Sequence, residues 1–242
     1  MKKLFAASLV TFAYTSVFAL SAQAVYDSSA KLFAFENLSF TVNSTITTPD
    51  SQKKRSFLVA KKTSNDSSSL LIRFKKPSDI KCTAILVNKK KSLQTNYIYF
   101  PALKRTRVVA KKDANSEIFG LGISYAELNS DNDTFEKLEE EVRDGNEYYK
   151  ITKLKSKMKY VYFINKKNSS IDTILTYRKG ALLKEISIQK IIKKGKNTLI
   201  TEWTIDDFKK NKKLAYFIDE KSITSKTKAS MFHKNRLEKC TF

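Results

Sequence analysis

The chain has 242 residues, with 46 Lys+Arg against 24 Asp+Glu for a formal charge of +22, 41% hydrophobic residues, 5 Gly, 2 Cys and 1 His. One His and two Cys cannot build a Cys/His zinc site, and no stretch supplies a Gly-rich nucleotide loop. One globular domain remains, and so basic a balance first suggests a nucleic-acid partner.

The N-terminus argues against that partner. Met1-Lys2-Lys3 is a positive start, Leu4 to Leu20 is apolar apart from Ser and Thr, and Ser21-Ala22-Gln23-Ala24 offers a small-x-small cleavage site before Val25. This is the pattern of a secretory signal peptide over residues 1–24; an uncleaved membrane anchor is the alternative. Residues 25–242 are then one exported domain with a charge of +20, soluble in a bacterial periplasm, where genomic DNA is absent. Of the basic residues 39 are Lys and seven are Arg, so most of the charge reads as solvated surface. The remainder suits transient attraction to an anionic membrane surface.

Ser28 to Leu38 carries Leu32, Phe35 and Glu36 at helical spacing and reads as a helix. Short strands with period-two alternation follow: Phe57 with Val59; Leu70, Ile72 and Phe74; Thr83, Ile85 and Val87; Tyr97 to Phe100; and Arg105 to Ala110. Ser124-Tyr125-Ala126-Glu127-Leu128 opens like a capped helix. Over Asp133 to Asp144 the glutamates Glu136, Glu139, Glu140 and Glu141 favour helix, but Asp144-Gly145 ahead of Glu147 to Ile151 favours a hairpin, which we adopt. Strands resume at Tyr160 to Ile164, Ile174 to Tyr177, Leu182 to Ile188, Thr198 to Ile205 and Leu214 to Ile218. Breaks this short describe an antiparallel sheet, not a βαβ alternation. Several strands, such as Leu70-Leu71-Ile72 and Ala84-Ile85-Leu86-Val87, are apolar on both faces, so the sheet must cover both or enclose something.

Catalytic equipment is sparse. His233 stands without an acid or nucleophile beside it, and the consecutive acids Glu139, Glu140 and Glu141 point to different faces. An enzyme and a cofactor are therefore not expected. Cys82 and Cys240 are the only thiols; an oxidising compartment permits a bridge between them, and two free thiols are the alternative.

Four segments occur in an order that carries more information than composition. They are Leu71-Ile72-Arg73-Phe74; Pro77-Ser78-Asp79-Ile80-Lys81-Cys82-Thr83; Tyr97-Ile98-Tyr99-Phe100-Pro101-Ala102-Leu103-Lys104-Arg105-Thr106-Arg107; and Phe119 to Leu128. Residues 70–128 resemble the outer-membrane lipoprotein-sorting family, the LolA/LolB-like periplasmic carriers. That family has a strand ending in Arg-Phe, a P-x-D-x-x-G-T turn, a Y-L-P-A-L-K-R-x-R strand and turn, and a G-S-D-F-x-Y-E-D-L segment. Beyond residue 128 the similarity is looser, through Val161 to Ile164, the strands around Gly180, and Trp203. This chain departs from the pattern in placing Cys82 where the turn has Gly, and Gly122-Ile123-Ser124 where the family has S-D-F.

The resemblance implies a mainly β (α+β) fold: a strongly curved antiparallel sheet forming an unclosed barrel, with short helices over its concave apolar face. It implies a carrier of lipid or lipoprotein acyl chains between inner and outer membrane, working alongside an inner-membrane transporter of the resistance-nodulation-division (RND) type. Within that picture Leu71, Ile72, Phe74, Ile85, Val87, Tyr97, Tyr99 and Trp203 are expected to bind acyl chains. Arg73, Arg105 and Arg107 are expected to hold a lid through carbonyl bonds or to grip a phosphate or carboxylate headgroup. The competing readings are an outer-membrane barrel, disfavoured by the lysine-studded strands, and a basic module that binds an anionic polymer or protein electrostatically.

Overall fold

In a computed structural model, residues 20–32, 35–91, 93–113, 115–125, 127, 134–155, 157–195 and 197–242 are described. The apolar stretch of the expected signal peptide lies outside them as far as residue 19. The expected cleavage site falls in the first turn of helix α1 (Ala22–Leu32), where Ser21 Oγ accepts the Ala24 N–H at 3.1 Å as an N-cap.

Thirteen strands form one antiparallel sheet. They are β1 (Leu38–Thr48), β2 (Ser51–Ser64), β3 (Ser67–Lys76), β4 (Ala84–Lys90), β5 (Leu93–Phe100), β6 (Arg105–Val108), β7 (Thr134–Arg143), β8 (Asn146–Lys155), β9 (Met158–Asn165), β10 (Ile171–Arg178), β11 (Ala181–Lys194), β12 (Asn197–Asp207) and β13 (Lys212–Thr224). The spatial order is β6-β5-β4-β3-β2-β1-β13-β12-β11-β10-β9-β8-β7. Every pair of consecutive strands is adjacent in space except β6 and β7. First and last strands pair in the middle of the sheet, Val42 opposite Ile218. Consecutive strands β6 and β7 are the two free edges, so the barrel is unclosed there.

The hairpin around Asp144-Gly145 forms as expected, with Arg143 opposite Asn146 and Gly145 at φ +76°. One helix expectation needs correction. The helix expected over Ser28 to Leu38 ends at Leu32, and Leu38 already pairs with Lys61 of β2. Leu38, Phe40, Val42 and Ile46 are buried at even spacing, a strand pattern that the intervening Ser, Thr and Asn obscure. At 124–127 the expected capping box forms: Ser124 Oγ accepts the Glu127 N–H, the Glu127 carboxylate accepts the Ser124 N–H at 2.7 Å, and Ser124 bridges Glu117, whereas the rest of the expected helix lies outside the described residues. Among the described residues α1 is the one α-helix, and the loop after β6 packs Ile118, Leu121 and Tyr125 against the main core.

One-residue phase divides the sheet. On the concave side Phe40, Val42, Phe57, Ile72, Phe74, Ile85, Val87 and Ile98 join Ile205, Leu214, Tyr216 and Ile218 in the main core. On the convex side the rows Ala60–Leu71–Leu86–Tyr97 and Leu58–Arg73–Ala84–Tyr99 run across β2 to β5. These rows would face water if the C-terminal tail did not lie over them, Phe232 and Leu237 packing on Leu71, Leu86 and Tyr99. Toward the other end of the sheet α1 lays Val25 and Tyr26 against Ile151, Tyr162 and Ile164. Lys153 Nζ donates to Tyr26 Oη at 3.2 Å and lies 4.4 Å above its ring, fixing the helix through a hydrogen bond and a cation–π contact.

Candidate functional site: an apolar cavity under a stapled loop

The concave side is not filled. A cavity of about 360 Å³ remains, bounded by same-face pairs two residues apart: Phe40 and Val42, Phe57 and Val59, Leu70 and Ile72, Ile186 and Ile188, Trp203 and Ile205, Tyr216 and Ile218. Ile174, Leu199, Ile200 and Phe35 complete the wall, and Leu121 and Ile123 come from the loop that follows β6. No charged side chain is among these residues. The two polar atoms on the wall belong to Trp203 and Tyr216, whose rings stack at 4.7 Å and 6°. The Tyr216 hydroxyl donates to the Leu121 carbonyl at 2.6 Å. Burial, and then the Glu117 charge, push this phenol up, so it stays a neutral donor at any ordinary pH.

The loop leaves β6 at the open edge of the sheet and inserts Ile118, Phe119, Leu121 and Tyr125 into the core, Phe119 edge-on to Phe74 at 5.3 Å. Phe119, Gly120 and Gly122 all have positive φ, which tightens the turn. A Cβ on Gly122 would sit 3.3 Å from Ile205 Cδ1, so glycine lets the loop backbone lie directly on the cavity floor. Polar contacts staple the loop to strands β11 and β13. Lys184 Nζ donates to the Gly122 carbonyl at 2.7 Å and pairs with Glu127 at 3.3 Å. Glu117 pairs with Lys210 and Lys212 and accepts the Gly122 N–H at 2.7 Å. Burial by itself would raise the Glu117 carboxyl, but the two lysines and the Gly122 amide outweigh it and lower the pKa to about 2.

Of the residues singled out in the sequence, Ile72 and Trp203 line the cavity. Phe74, Ile85 and Val87 lie on the same side but within the packed core beside it. Leu71, Tyr97 and Tyr99 are on the opposite face, under the tail. Arg73 is there too, 1% exposed. It donates from Nη1 to the Thr241 carbonyl at 2.8 Å and from Nη2 to the Leu237 carbonyl at 3.3 Å. These bonds hold the C-terminal tail against the convex face. Arg105 and Arg107 are exposed on edge strand β6, Arg107 beside Lys234 and Glu238 at the rim of a polar recess. The wall residues from β1 were missed with the strand itself. Leu121 and Ile123 were visible as part of the fourth matching segment, but without a role.

Cys82 and Cys240 form a disulfide with Cα atoms 5.2 Å apart. It ties the tail to the turn before β4, on the same face as the Arg73 bonds. Cys82 has φ +68°, the left-handed conformation that glycine adopts freely, so the geometry accounts for the glycine of the family's turn.

A family model described as "Uncharacterized protein" matches residues 65–239, well over half of the chain. The chain belongs to that family. No curated protein matches the sequence. Among solved structures, the chain is similar to a domain from Vibrio parahaemolyticus assigned to outer membrane lipoprotein sorting, with TM-score 0.79, 17% identity, and coverage of 90% of this chain and 100% of the other. A DUF1329 family protein from Desulfovibrio piger gives TM-score 0.78 and 16% identity, with 89% and 98% covered. A LolA superfamily protein from Nitrosomonas europaea gives 0.69 and 17%, with 90% and 99% covered. The fold is LolA-like, as the four sequence segments imply.

Proposed function

We propose that this protein is a carrier that takes acyl chains of a lipid or lipoprotein into the concave cavity and moves them between the inner and outer membranes. In this reading residues 1–24 are a cleaved signal peptide, residues 25–242 work in the periplasm, and an inner-membrane transporter of the RND type loads or unloads the cargo. The observation that carries it is the unbroken apolar lining of a 360 Å³ space inside a LolA-like fold. A sixteen-carbon chain resists water by about 12 kcal/mol, at ~0.8 kcal/mol per CH₂. A slot of this chemistry offsets that reluctance, and the stapled loop keeps water out while the chain is aboard. The role is binding without chemistry, and it asks for no cofactor.

Trp203 is the single tryptophan of the chain and stands on the cavity wall, so it reports occupancy directly. Bromine-labelled palmitate is expected to quench Trp203 emission saturably, and native mass spectrometry of protein exported from a bacterial host is expected to show a bound lipid. Protein that is empty and whose emission ignores the brominated chain would overturn the reading.

A further inference from the structure

The convex face carries a second recess of about 360 Å³, with a chemistry opposite to the cavity. Its floor is the Arg73 guanidinium, and Lys226, Lys228, Arg236 and Lys239 stand around it, with no Asp or Glu side chain in its lining. Arg73 is nearly inaccessible and has carbonyls, not carboxylates, as partners; its Nε, also buried, has no hydrogen-bond partner. The four surrounding cations all come from the tail and are exposed. Among the described residues none of them forms a salt bridge. Some lysines elsewhere on the surface are paired, Lys150 with Glu141 at 2.9 Å and Lys190 with Glu220 at 2.9 Å. The one acid of the tail after residue 225, Glu238, lines the neighbouring recess with Arg107 instead.

Holding five like charges around one small recess is unfavourable unless an anion sits among them. We propose that this recess binds a phosphate-bearing anion. A phosphate offers several acceptor oxygens and up to two charges, which matches planar guanidiniums beside mobile ammoniums better than a singly charged carboxylate does. The Ser230 and Thr241 hydroxyls on its lining supply neutral donors. The site does not depend on what the cavity carries. It lies on the other side of the sheet, and the disulfide and Arg73 bonds that pin the tail also hold its wall in place.

The test uses the full exported chain at low ionic strength, where such contacts are least screened. Titration calorimetry with glycerol phosphate is expected to show one site. Lys226→Ala, Lys228→Ala and Lys239→Ala together should weaken it roughly tenfold or more. Removing the same charge elsewhere, at Lys90, Lys91 and Lys179, should leave it within about twofold. All six side chains are exposed, so both variants are expected to melt with the parent. Phosphatidylglycerol vesicles form the second arm. Vesicle binding lost in the first variant and displaced by glycerol phosphate places the phosphate on a lipid headgroup, whereas glycerol phosphate binding without vesicle binding makes it a soluble ligand. Either result supports the site. No binding of either probe, or equal loss in both variants, overturns it.

Discussion

Position 82 shows how one residue serves two constraints. The turn ahead of β4 needs a left-handed residue, a conformation that costs a side-chain-bearing residue about 1–2 kcal/mol, and this chain places there the cysteine that anchors its tail. Closing a loop of 158 residues stabilises by about 4–5 kcal/mol in the chain-entropy model, which exceeds that cost. Two consequences can be measured by urea denaturation. Cys82→Ser with Cys240→Ser should lose about 2–5 kcal/mol. Cys82→Gly with Cys240→Ser should recover about 0.5–1 kcal/mol of that, because the relief of strain outweighs the chain entropy that glycine adds to the unfolded state. Equal stability of the two double variants would show that the conformation at 82 carries no strain.

At the scale of elements, the loop from β6 and the tail after β13 cover opposite faces of this sheet. The loop closes the concave side through side chains and charge-assisted staples; the tail closes the convex side. Glu117 is the staple whose titration can be followed. Its folded pKa of about 2 lies below the ordinary 4.5, so its stabilisation is complete above pH 4.5 and is lost as the pH falls from there toward 2. Glu117→Gln should therefore lower stability at pH 7 and flatten the acid limb between about pH 4.5 and 2 relative to the parent. Thermal melts across that range check it, and an unchanged acid limb would assign the titration to other carboxylates. Gly122 belongs to the same device, which explains why the Phe119 to Leu128 segment is glycine-rich in a chain with only five glycines.

For the whole molecule, a charge of +22 and an apolar cavity make opposite demands on solvent. The cavity wall holds no lysine, so acyl binding and anion binding should separate by salt. Raising ionic strength from about 0.05 M to 0.5 M shrinks the screening length to a few ångströms. Brominated palmitate should then keep its affinity within about twofold, while glycerol phosphate should lose most of its own. Parallel salt dependence of the two would mean that they share one electrostatic site.

The sequence by itself determined most of the strands, because alternation along a few residues is a local signal and Lys/Asn/Ser clusters punctuate it. It showed the hairpin at Asp144-Gly145 and, through the ordered motifs, the LolA-like architecture. The inward phase of each strand was decided by tertiary structure. Leu71 and Ile72, or Tyr97, Ile98 and Tyr99, are all apolar, so composition is equally content with either face, and only the curvature of the sheet and the position of the tail settle that Ile72 meets the cavity while Leu71, Tyr97 and Tyr99 meet the tail. The same holds for Arg73. Its charge is legible anywhere, but its partners, Leu237 and Thr241, lie more than 160 residues away. Strand β1 was hidden for a related reason: its Ser, Thr and Asn residues suit a strand only because β2 and β13 flank it on both sides. Local sequence sets which segments extend; which face a side chain shows, and what it meets there, depends on segments brought together only when the sheet curves around them.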